Sequence, residues 1–91
     1  MRFERAGDVT SEVFDGLAVL VDPRTVEMVT LNRIGSLVWQ ELDGPKTVNE
    51  LVAAILRSIA GTTADELERD IATFLHELVE TGLVVTAHDA G

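Results

Sequence analysis

Ninety-one residues make one domain with one modest core, too short to enclose a deep substrate cavity, so an independent enzyme is disfavoured. Apolar residues at 46% with a positive mean hydropathy exclude a disordered acidic tail, and seven basic against sixteen acidic residues give a net charge of −9. That charge opposes binding to nucleic-acid phosphates and anionic membranes, and the absence of cysteine removes disulfides, thiolate metal sites and thiol catalysis.

Cationic peptides and basic protein patches are the partners the charge favours. No apolar stretch reaches the roughly 18 to 20 residues of a membrane span, and Met1 to Thr10 lacks the apolar run of a signal peptide. A soluble, non-exported chain, cytoplasmic by default, is the expectation.

Residues 1–8 read as a loose lead-in, with room for an extra strand around Phe3. Val9 to Phe14 is β-prone, Asp15-Gly16 supplies a tight hairpin turn, and Leu17 to Asp22 is a compact apolar strand. Asp22-Pro23-Arg24-Thr25 forms the next turn, because proline presets φ and Asp22 bonds forward to the backbone. Val26 to Leu31 returns as a third strand, which makes an antiparallel meander with one free edge.

Asn32 caps a first helix, on which Ile34, Leu37, Val38 and Leu42 share a face while Trp39 covers its margin. Asp43-Gly44-Pro45 ends it. Thr47 and Glu50 have capping-box spacing before a second helix whose stripe runs from Val48 to Ile59 and which ends near Gly61. Thr63 and Glu66 repeat the box before a third helix to about Thr81, with Leu67, Ile71, Phe74, Leu75 and Leu78 inward. Gly82 stops that helix, Leu83 to Val85 packs back on the core, and Thr86 to Gly91 frays. The order is α+β: a three-stranded antiparallel sheet followed by a three-helix bundle, in an arrangement that resembles a winged helix.

Nothing in this pattern assembles catalysis. The only histidines, His76 and His88, fall on a polar helix face and in the tail, without the spacing of metal ligands. No nucleophile elbow or phosphate-binding glycine loop occurs, and Asp65 and Glu66 suit a helix N-terminus. No catalytic residue, metal or cofactor is expected. A recognition helix for DNA is disfavoured because Asp65 to Glu80 carries six acids and the single arginine Arg69. Glu66, Asp70, Thr73 and Glu77 instead form a mostly acidic stripe, readable as a solvated flank or as the border of a groove against the third strand.

Leu31-Asn32, Ile34-Gly35, Val38-Trp39, Leu42-Asp43-Gly44, Thr47-Val48, Leu51, Phe74-Leu75, Leu78 and Gly82-Leu83-Val84, in this order and spacing, resemble the PqqD-like family of small peptide chaperones. The resemblance covers about residues 9–85 of a single domain, 1–91. It implies a winged-helix-like domain that binds the leader segment of a ribosomally made precursor peptide, antiparallel to the third strand and in the groove against the third helix. Carried onto this sequence, the peptide-binding positions are Glu27, Met28, Val29, Thr30 and Leu31 on the strand, and Leu67, Asp70, Ile71, Phe74 and Glu77 on the helix.

The implied partners are the precursor leader and separate modifying enzymes, such as a leader peptidase, a cyclase or a radical enzyme, with no catalytic residue here. The sequence looks most like the stand-alone leader-binding subunits of lasso-peptide clusters, and service in another peptide pathway stays open. Family members often carry an aromatic residue in the third strand; VEMVTL has none, which leaves Met28 to shape that pocket. Basic residues are scarce, which argues against a leader recognised through its own acids. Replacing Val29 with proline removes a ladder donor and abolishes binding if that amide faces the edge. The alternative is a structural adaptor or a homodimer formed through the same edge.

Overall fold

Asp15 and Gly16, both with positive φ (51° and 80°), close the first hairpin as the twist of its strands requires. The computed structural model describes residues 1–87 and orders them as β1 (Arg2–Arg5), β2 (Thr10–Phe14), β3 (Leu17–Asp22), β4 (Glu27–Thr30), α1 (Arg33–Glu41), α2 (Val48–Leu56), α3 (Ala64–Glu80) and β5 (Val84–Ala87). Strands β2, β3 and β4 form the expected antiparallel meander in that spatial order. The α+β class and the three-helix unit stand as read from the sequence.

The two ends hold more order than a loose lead-in and a frayed tail. The extra strand allowed for around Phe3 is present: β1 pairs antiparallel with β5, from Arg2 opposite Ala87 to Arg5 opposite Val84. Thr86 and Ala87, expected to fray, belong to that ladder, whereas 88–91, including His88, lie outside the described residues. Each segment is too short to hold alone. Their pairing is reinforced where Phe3 exchanges backbone bonds of 2.7 and 2.9 Å with Lys46.

The helix starts follow the caps. Asn32 Oδ1 accepts from the Gly35 N–H at 2.8 Å, and Thr47 and Glu50 complete a reciprocal capping box. Thr63 accepts from Glu66 N–H, yet the Glu66 carboxylate turns to the Thr62 hydroxyl, so the second box is only half formed. Helix α2 stops at Leu56, one turn earlier than its apolar stripe suggests.

Helix α1 buries Gly35, Ser36, Val38 and Trp39 and leaves Ile34 and Leu37 half-buried, so its inward face is rotated from the apolar count. Trp39, expected at the margin, is 1% exposed, because β1 and β2 cover it. Its Nε1 donates to Ser11 Oγ at 2.9 Å, and the Arg5 guanidinium sits 4.9 Å from the ring centroid. Ser36 is buried because its hydroxyl enters the sheet: Ala18 N–H donates to Oγ at 2.7 Å, and Oγ donates to Leu31 O at 3.3 Å. Gly35 admits the Phe74 ring, whose Cε1 would lie 2.9 Å from any Cβ added there. Leu20, Leu31, Leu51, Ile55, Leu67, Ile71 and Leu75 fill the rest of one core between sheet and helices.

Candidate functional site

β4 has β3 on one side and no strand on the other among the described residues. The register decides which of its groups stay free. Leu31 donates to Ala18 O at 2.8 Å, and the pairing then places Val29 opposite Leu20 in the next mutually bonded pair. Bonding alternates along an antiparallel ladder, so Met28 and Thr30 turn their N–H and C=O groups away from β3, toward the open side. Glu27 N–H is engaged by Thr25 Oγ1 at 3.3 Å. The Val29 amide therefore faces β3, and a proline there would break the meander itself.

Side chains alternate in the opposite sense. Val29, opposite the buried Leu20, points toward the helices and remains 36% exposed. Met28, opposite Val21, points to the outer face and is 71% exposed. There it borders a shallow hollow of about 290 Å³ with Phe14, Val19 and Val21, across the sheet from α3.

Between β4 and α3 runs a cleft of about 240 Å³. Glu27 and Val29 line it from the strand and Glu77, Leu78 and Thr81 from the helix. Asp22, Thr25 and Leu83 complete it at the end where the β3–β4 turn meets the C-terminus of α3. That end is tied: the Arg24 guanidinium donates to both Asp22 oxygens and to Gly82 O, and Asp8 lies 3.6 Å away. The hydrogen bond from Arg24 holds the Asp22 carboxyl below its ordinary pKa and raises that of Arg24. The turn also puts Val26, a β-branched residue, at φ 59°, a strained position next to the edge.

Of the ten positions expected from the sequence, Glu27, Val29 and Glu77 line the cleft, and Met28 and Thr30 supply the open backbone groups. Leu31, Leu67 and Ile71 belong to the core. Phe74 is half-buried against Gly35, and Asp70 is exposed on α3. Sequence reasoning missed Asp22, Thr25, Leu78, Thr81 and Leu83 as lining. The signal for Leu78 and Thr81 was present, since they follow Phe74 and Glu77 at the four-residue spacing that shares a helix face.

His76 is exposed and 3.1 Å from Glu80. Among the described residues no group of three metal-capable side chains converges, and no helix is long and apolar enough to cross a membrane.

The model of the family described as coenzyme PQQ synthesis protein D (PqqD) matches residues 18–84, from the start of β3 to the start of β5. The chain belongs to the PqqD family. The matched stretch of this PqqD-family chain contains β4, α3 and the cleft between them. The fold is similar to a solved structure of TbiB1 in complex with the TbiA(beta) leader peptide. Identity is 28%, the TM-score is 0.83, and 94% of this chain and 99% of that one are covered. It is also similar to a lasso peptide synthetase B1 complexed with the leader peptide, with 28% identity, a TM-score of 0.79, and 94% and 100% coverage. None of the curated proteins it was compared with matches the chain.

Proposed function

We propose that this PqqD-family chain is a non-catalytic chaperone that binds the leader segment of a ribosomally made precursor peptide. The leader adds as a strand to the open edge of β4, in the cleft against α3, and the complex is presented to separate modifying enzymes. Lasso-peptide biosynthesis or a related pathway is the setting, with a leader peptidase, a cyclase or a radical enzyme as the next partner. The cytoplasm, where such precursors are translated, is the place of action.

The observation that carries this reading is an edge strand whose free backbone groups stand directly beside a helix-walled cleft. The two similar structures described as leader-peptide complexes support it. Pairing of the same edge with a second copy is the weaker reading, because it would bring the acidic flanks of two α3 helices together on chains of net charge −9.

Synthetic leaders of short precursor peptides encoded beside this gene test the proposal by titration into the labelled protein. Backbone amide shifts should appear first at Met28 and Thr30, with new cross-strand contacts to the peptide. Binding that leaves those two amides unperturbed would overturn strand addition at β4.

A further inference from the structure

Strand addition to β4, on which this inference rests, fixes where one leader side chain must go. A strand bonded to Met28 and Thr30 places its intervening residue opposite Val29, in a pair where side chains approach most closely and share a face. The face of Val29 is the cleft. Its neighbours in the leader point to the outer face beside Met28.

We infer that the leader residue facing Val29 is a lysine or an arginine. Val29, Leu78 and Leu83 give the cleft an apolar floor suited to a methylene stem. Glu27 and Glu77 stand on its two opposite walls, and neither has an ion-pair partner among the described residues. The cation already present, Arg24, is held by Asp22 and Asp8 and leaves those two carboxylates unneutralised. The C-terminal end of α3 borders the same cleft and carries no basic residue in its last turn, so its partial negative charge adds to theirs. Thr81 Oγ1 spends its proton on the Glu77 and Leu78 carbonyls and keeps its lone pairs for a donor from the ligand. An aromatic side chain would cover the floor yet offer Glu27 and Glu77 no countercharge, and an acidic one would be repelled by both.

The test is a selection of displayed random short peptides on the full chain, run in parallel on a Glu27→Gln, Glu77→Gln double variant. Both substitutions are on exposed walls and leave the core untouched. The selected position facing Val29, assigned from contacts between the peptide and the Val29 and Leu78 methyl groups, should be enriched in Lys or Arg. The double variant should lose that enrichment and bind the best peptides about tenfold more weakly at low salt, as expected when charge-assisted hydrogen bonds are removed. Selection of aliphatic or aromatic residues at that position, with equal affinity for the variant, would overturn the inference and leave strand addition standing. Failure to select any peptide that perturbs Met28 and Thr30 would overturn both.

Discussion

Around Trp39 the chain answers its own polar groups, whereas around Val29 it does not. The indole N–H has Ser11, Arg5 lies over the ring, and the hydroxyl of Ser36 joins two strands' backbones; no buried side-chain polar atom is left without a partner among the described residues. Thirty-six percent of Val29 stays open, two residues of β4 turn their amides outward, and Glu27 and Glu77 face each other across a cleft. The closed side supplies the free energy that holds the fold. The open side keeps unmet hydrogen-bonding and charge, which a visiting chain can satisfy.

That contrast can be broken from the closed side first. Trp39→Ala removes the largest fully buried side chain and should cost about 3–5 kcal/mol, read as a fall in the denaturant midpoint. Ser36→Ala should cost roughly 1–3 kcal/mol, because it leaves Ala18 N–H and Leu31 O buried without their bridge. Neither change touches the cleft, so a variant that remains folded should bind its leader unchanged.

From the open side, Met28→Pro removes an outward N–H and should weaken leader binding by about tenfold, with little effect on the unfolding midpoint. Equal leader affinity of this variant and the parent would place the peptide elsewhere. A smaller effect belongs to the tie between the halves. The folded pKa of Asp22 is depressed by Arg24, so its contribution is complete above the ordinary carboxylate value and is lost as the pH falls through the depressed one. Asp22→Asn should therefore flatten the acid limb of the stability curve relative to the parent. Val26→Asn, relieving a β-branched residue from positive φ, should raise stability by up to about 1 kcal/mol.

Legibility followed the range of the interaction. The hairpin turns, Asn32 and Thr47 act over at most four residues, and each produced the element it announced. The pairing of β1 with β5 joins residues far apart in sequence, so a strand around Phe3 could be allowed for without its partner being named. Trp39 looked marginal because apolar counting along one helix ignores what other elements lay over it. Glu77 and Val29 line the cleft that the acidic stripe and the edge strand pointed to; Leu67 and Ile71 are core, as the helical spacing indicated, and it was the family resemblance that placed them on the groove.

The sequence by itself determined the order of strands and helices, their caps and turns, and an acidic third helix, because those depend on neighbours a few residues apart. Only the tertiary structure decided that Met28 and Thr30, and not Val29, offer their backbone outward, and that Glu27 comes to face Glu77. Both depend on ladder register and on how the sheet packs beside α3, contacts between distant residues that no local pattern encodes.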